Sequence, residues 1–433
     1  MEAAPIHLRT RSYLRLLVLA SAIAVVIAFA TLAFLGAYSG LRDVLWDEIP
    51  SELGVDPYSW YALAVTSVGG LVVGLLLLVV PGHGGPGPAE GHGIGAAEIP
   101  PLHAVGMVLV SLVSLIVGAS LGPEAALLAV ALALGTLLAD RLKRPELEKI
   151  LGASGLGSLL SGLFGSPVAP SVLMLEVTEV TGRNLYVFLV PVLVAASIGL
   201  LTFDAVLNGP LLEIDLPSYT GVELAHVFEA LAVAAVGAAV GMLLIVLVRM
   251  LRRALRPIAR RTVLKATLGG IGIGVIALVA GQETLFSGEH ELEVLLAHPE
   301  AYGAGTLLLI LGGKLLALAL SLETGFRGGR IFPVLFIGAT VGFITSDVFE
   351  RVPVAVAVAC GMAGAAVAIM RLPVFIALTV AFFASPATVP LIVLACVVGY
   401  VFTFARPELG ADAPADEQPN GGAEPAADSP SPT

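Results

Sequence analysis

The chain has 433 residues, 57% of them hydrophobic and only 13% charged, with a formal net charge of −11 and a mean hydropathy of +0.97. A soluble domain carries roughly 45–50% apolar and about 25% charged residues, so the composition excludes a soluble globular protein. The acidic excess excludes nucleic-acid binding, which needs a basic surface, and the two cysteines, Cys360 and Cys396, lie in apolar segments with no disulfide or metal pattern.

Residues 1–12, with Arg9 and Arg11, read as a cytoplasmic N-terminus. The apolar run 16–35 is longer than the core of a cleavable signal peptide and is read as a first transmembrane helix. A second spans 58–80. Glycine and proline then dominate 81–99, an exposed loop or a short re-entrant hairpin. The apolar segment 100–117 runs into Gly118-Ala119-Ser120-Leu121-Gly122-Pro123-Glu124, a break without enough polar residues to leave the membrane, and an apolar run 125–138 follows. Residues 152–165 are rich in Gly, Ser and Ala, which lets helices approach closely in a bilayer. They stop near Pro167 and restart as a segment that ends at Glu176. A span over 185–207 completes a first membrane repeat, 13–207, and a polar loop follows at 208–219.

The second repeat, 220–406, opens with a helix over 223–248 that ends in a cluster of arginines from Arg249 to Arg261, plus Lys265. Clusters of Lys and Arg beside spans mark the cytoplasmic side. An apolar segment 266–281 and a polar loop 282–302 precede the stretch 312–342. That stretch begins as a helix, breaks at Gly325-Phe326-Arg327-Gly328-Gly329-Arg330 and restarts through Ile331-Phe332-Pro333. A small-residue helix over 352–370 breaks at Arg371-Leu372-Pro373, and segments 374–384 and 389–404 close the membrane part. The tail 407–433 is acidic, rich in Pro, Ala and Gly, and cannot bury enough apolar surface to fold.

The halves match in order: broken site, helix, small-residue helix, proline break, apolar helix. Paired interrupted segments in corresponding halves point to a transporter or channel site. A broken backbone is tolerated in hydrocarbon only where it is buried or lines a cavity, and helix N-termini present unpaired N–H donors with a positive dipole end. The donors expected to hold an anion are the N–H groups of Leu121, Gly122, Gly329, Ile331 and Phe332, with Arg330 drawing anions or pairing with Glu323 or Glu124. The plainer alternatives are packing kinks for the breaks, a helix cap for Glu124, an interfacial acid for Glu176 and a snorkelling or paired side chain for Lys314 and Arg371. His83, His92 and His103 fit no standard metal spacing. No cofactor, no HExxH and no nucleophile with a base in reach mark the chain as an enzyme.

Taken in order, these pieces resemble the chloride channel (CLC) family of anion channels and proton-coupled anion exchangers, over most of residues 57–409. The run from Lys314 to Gly329-Arg330-Ile331-Phe332-Pro333 and on to Phe336-Ile337-Gly338-Ala339 resembles the segment that leads into the family's anion-coordinating GGxFxP motif. Gly122-Pro123, Pro167 with Glu176, Leu285-Phe286-Ser287-Gly288-Glu289 and Gly361-Met362-Ala363-Gly364 are also similar. The resemblance implies an all-α polytopic membrane protein with inverted repeats, whose broken helices meet at a mid-membrane anion site. It also implies a homodimer in the cell membrane with one pore per subunit, carrying chloride or a similar small anion.

The departures set the expected mechanism. Leu121 stands where the family's gating glutamate precedes Gly-Pro, and Val177 stands where exchangers carry an inner proton-transfer glutamate. Ile331 falls where the GGxFxP phenylalanine is expected, no serine-bearing turn has a clear counterpart, and Leu409 takes the place of the tyrosine near the end of the membrane region. The SLGPE sequence is similar to a divergent bacterial branch of ion-transport proteins. Passive, uncoupled anion conduction is the expectation. The alternatives are proton-coupled exchange through Glu124 or Glu176, or a non-transporting membrane scaffold.

Overall fold

The computed structural model describes residues 10–85, 99–178, 184–207, 214, 216–221, 223–298, 301–349 and 352–404. His92, Leu409, the tail 407–433 and most of the loop 208–219 lie outside the described residues. The first half contains α1 (Thr10–Asp43), which continues through a π-helical turn (Val44–Glu48) into α2 (Ile49–Leu53). It goes on with α3 (Trp60–Val79), α4 (Pro101–Ile116), α5 (Glu124–Leu142), α6 (Glu148–Phe164), α7 (Val168–Val177) and α8 (Asn184–Leu207). The second half contains α9 (Leu224–Leu255), α10 (Thr262–Ala280), α11 (Glu289–Ala297) and α12 (Ala304–Glu323). After them come α13 (Ile331–Val348), α14 (Val354–Met370), α15 (Pro373–Phe382) and α16 (Val389–Val401). Among the described residues, eight helices are long and apolar enough to cross a membrane, and several shorter apolar ones lie among them.

Two expectations need correction. The first span does not stop near residue 35: α1 runs on to Asp43, and the turn after it carries Trp46, which is buried and donates from Nε1 to the Ile116 carbonyl at 2.8 Å. That tether keeps the helical backbone going beyond the apolar stretch. The polar loop 282–302 contains α11, which starts from Gly288 in the left-handed region (φ +89°) and buries Leu292 and Leu295.

The repeat is visible in backbone geometry. Gly118 (φ +90°) ends the helical path before α5 and Gly325 (φ +105°) ends it before α13. Gly165 (φ +71°) and Arg371 (φ +58°) close α6 and α14 in the same left-handed turn, and Pro167 and Pro373 restart the chain as α7 and α15. Proline suits a first helical turn because it lacks the N–H that would be unpaired there. The bundle interior is formed by the small-residue helices. α6 packs against α1, α5 and α8, and its serines tie it to them: Ser158 Oγ donates to the Ala24 carbonyl at 2.8 Å and Ser161 Oγ to the Ala196 carbonyl at 2.6 Å. α14 packs against α9, α13 and α16.

Lipid gives no hydrophobic drive to helix pairing, so close backbone contact and interhelical hydrogen bonds hold such a bundle. At the crossing of α13 and α14 a Cβ on Gly361 would overlap the Gly338 carbonyl oxygen, and one on Gly338 would come within 2.6 Å of the Gly361 carbonyl. Gly361→Val should therefore separate the two helices and destabilise by about 1–3 kcal/mol or more. The check is the unfolding midpoint and size-exclusion profile of purified protein; a wild-type profile would refute the close crossing.

Candidate anion site where the two breaks meet

The segments 117–123 and 324–330 leave both helices open at their ends, and each closes on the other. The Gly122 N–H donates to the Gly329 carbonyl at 2.8 Å and the Gly329 N–H to the Gly122 carbonyl at 2.6 Å, a two-residue antiparallel bridge. Side chains satisfy the neighbouring backbone: Ser321 Oγ accepts the Ser120 N–H at 3.1 Å, and Ser114 Oγ accepts the Arg327 N–H at 3.1 Å. The Leu121 N–H turns back onto the Ala119 carbonyl at 2.8 Å. Gly118 and Gly325 are needed here because an L side chain is strained at their positive φ.

This geometry corrects part of the expected donor set. The N–H groups of Leu121, Gly122 and Gly329 bond to backbone carbonyls. The start of α13 faces a side chain of the protein itself. Glu124, at the start of α5, is 5% exposed, and its Oε1 accepts the Ile331 N–H at 2.6 Å. The N–H groups of Phe332 and of Glu124 itself, and the Arg330 charge, act electrostatically on the same carboxylate. Oε2 is buried without a hydrogen-bond partner. The two glycines of the bridge make the room: a Cβ on Gly329 would overlap the Glu124 carboxyl carbon, and one on Gly122 would overlap Oε2.

A carboxylate at a helix N-terminus gains from the dipole and from charge-assisted hydrogen bonds. The Ile331 N–H at the start of α13 is thus paired with a carboxylate side chain of the protein itself. Motif comparison alone does not find this, because Glu124 stands three residues past the family's gating position. A position two residues beyond Gly122 still reaches the bridge, since the chain passes directly from the bridge into the first turn of α5.

Glu176 sits at a different break. Its two carboxylate oxygens accept the Val374 N–H at 2.9 Å and the Phe375 N–H at 2.8 Å, so α7 caps the start of α15. Phe164, at the end of α6, joins the two regions: its ring stacks on Phe332 at 5.4 Å and meets Phe375 edge-on at 6.1 Å.

Two buried charges support the second break. Lys314, fully buried in α12, donates to the carbonyls of Glu283 (3.1 Å), Leu285 (2.7 Å) and Phe286 (3.0 Å), and lies over the Phe336 ring. It does not snorkel to an interface. Three carbonyl ligands satisfy the three protons of the ammonium and hold the segment that leads into α11 against α13. Glu323, the last residue of α12, receives Arg252 of α9 from two nitrogens, with Nη2 2.7 Å from Oε1. The sequence signal for Lys314 was its isolation in an apolar run, but its partners are backbone atoms and leave no mark in the sequence.

The chain matches the profile of the voltage gated chloride channel over residues 69–403. It is 28% identical over 424 residues to the "Putative ion-transport protein YfeO" of Escherichia fergusonii, covering 96% of this chain and 99% of that one. The protein of the same name from Escherichia coli matches equally. Among solved structures, a slow cyanobacterial Cl−/H+ antiporter superposes with a TM-score of 0.78 at 19% identity, covering 92% of this chain and 95% of that one. A CLC-type fluoride/proton antiporter superposes with a TM-score of 0.72 at 16% identity, covering 91% and 96%. At these identities the two structures speak for the fold alone, an inverted-repeat helical architecture with broken helices.

If Glu176 is a cap, Glu176→Ala should destabilise by about 1–2 kcal/mol, and Glu176→Gln should retain part of that. Thermal unfolding of the purified variants measures it. An unchanged midpoint in the alanine variant would remove the capping role.

Proposed function

The chain belongs to the voltage gated chloride channel family, and on that premise we propose that it conducts a small inorganic anion, chloride or a similar ion, across the cell membrane. The observation that carries the proposal is the seat of the Glu124 carboxylate on the Ile331 N–H. The start of α13 is a place where this protein stabilises negative charge in a dry interior, using backbone donors that distinguish sign rather than chemical identity. An anion that displaces the carboxylate gains the same donors, and Arg330 raises the local potential for either occupant. Glu124 is in this proposal a plug that must leave its seat before the site conducts.

The conduction is passive and uncoupled. Coupling to protons requires a carboxylate that competes with the anion and a second group that relays its proton to the inner side. Val177 holds the position of the family's inner acid, and Glu176 is committed to the N–H groups of Val374 and Phe375. One observation favours a second reading, proton-coupled exchange: a buried carboxylate on the anion's own donors is the competition that coupling needs. Following the family, the protein is a homodimer with one pore in each subunit.

Purified protein in chloride-loaded liposomes separates the two. Uncoupled conduction gives chloride efflux that needs a valinomycin shunt and moves no protons, and Glu124→Gln should raise that efflux by about tenfold, the equivalent of ~1.4 kcal/mol off the barrier. Proton movement locked to chloride, abolished by Glu124→Gln, would establish the exchanger. No flux of chloride, nitrate or fluoride in either protein would refute transport through this site.

Arg330→Ala should lower anion flux several-fold while inserting normally into membranes. Unchanged flux would take Arg330 out of the pathway.

A further inference from the structure

The connection between α9 and α10 carries a cluster that anion conduction leaves unused. From residue 230 to residue 282 the chain has no acidic side chain, and Arg249, Arg252, Arg253, Arg256, Arg260, Arg261 and Lys265 fall within that stretch. Its depth follows from helix length. The uninterrupted apolar run 230–248 of α9 rises about 28 Å at 1.5 Å per residue, close to the ~30 Å hydrocarbon core. Arg249 therefore stands where the hydrocarbon ends, and the turns that carry Arg253 and Arg256 extend into the headgroup layer. α10 re-enters at Lys265. Arg253, Arg256, Arg260 and Arg261 are exposed, and Met250 and Leu264 are exposed among them, so the corner presents cations and apolar anchors together.

The corner is joined to the second break from both sides. Arg252 holds the buried Glu323 at the end of α12, two residues before Gly325. On the far side of the corner, Gly269 of α10 lies flush against Thr324, where a Cβ would overlap the hydroxyl oxygen. Both arms of the hairpin thus end on the segment that leads to Gly329 and Ile331.

We propose that this corner binds the headgroup of an anionic phospholipid, and that an occupied corner steadies the break between α12 and α13 through the Arg252–Glu323 pair. A phosphodiester offers charged oxygens to several guanidinium groups at once, and clustered cations beside a span attract an anionic leaflet. The binding stands without the transport reading; only its effect on flux rests on that reading.

The test uses the full chain in neutral detergent, titrated with phosphatidylglycerol, phosphatidylcholine or inorganic phosphate and followed by native mass spectrometry and thermal unfolding. Phosphatidylglycerol should bind at least about tenfold more tightly than phosphatidylcholine. The combined Arg253→Gln, Arg256→Gln, Arg260→Gln, Arg261→Gln variant, checked for a monodisperse size-exclusion profile, should lose that preference. Equal binding of the two lipids, a preference that survives in the variant, or equally tight binding of inorganic phosphate would each overturn the lipid site. In liposomes with and without phosphatidylglycerol, wild-type flux should rise several-fold with the anionic lipid. Glu323→Gln should keep the binding preference but lose the flux response; a retained response would overturn the coupling route and leave the lipid site standing. Absence of flux in every liposome would count against transport, and the binding titration would still decide the site.

Discussion

A peptide group inside hydrocarbon has no water to bond with, so two helices that break at the same depth must complete each other. In this chain the completion is the Gly122–Gly329 bridge, which closes the two open turns with a pair of backbone hydrogen bonds. Once that bridge forms, its glycines leave a space of carboxylate size, and the Ile331 N–H of α13 faces into it. Glu124 fills the space, and a buried helix N-terminus favours negative charge there.

The surrounding charges make sense as supports for that bridge. Burying an ammonium or a carboxylate is costly unless every polar atom finds a partner. Lys314 meets the condition with three backbone carbonyls, which converts its charge into a clamp on the segment before α11. Glu323 meets it with the guanidinium of Arg252, linking α9 to the last turn before Gly325. Glu176 meets it with the unpaired N–H groups of α15. In each case a membrane-embedded charge stabilises an irregular piece of backbone, and the irregular pieces are where α11, α13 and α15 begin.

Much of this architecture can be read along the chain. Apolar length places the spans, and glycine or proline at 118, 165, 167, 325 and 373 marks where helices stop and restart, since these residues act through local backbone rules. Reading fails where a neighbour decides the outcome. Nothing in the run 36–48 shows that a buried Trp46 extends α1, because its partner is the carbonyl of Ile116. Likewise α11 exists because Leu292 and Leu295 find a buried face, while its own sequence looks like a polar loop.

The site divides along the same line. Composition and the paired breaks determined that this is a polytopic helical membrane protein with interrupted helices in both halves, because length, apolarity and helix-end chemistry are local properties. Only the tertiary structure decided which N–H groups at these breaks pair with backbone carbonyls and which meets the Glu124 carboxylate. Leu121, Gly122 and Gly329 carry the same N–H group as Ile331 and Phe332, and no sequence pattern distinguishes an N–H that pairs with a carbonyl from one that faces a carboxylate. That choice belongs to the crossing of two segments more than 200 residues apart, which also brings Glu124 into the cradle.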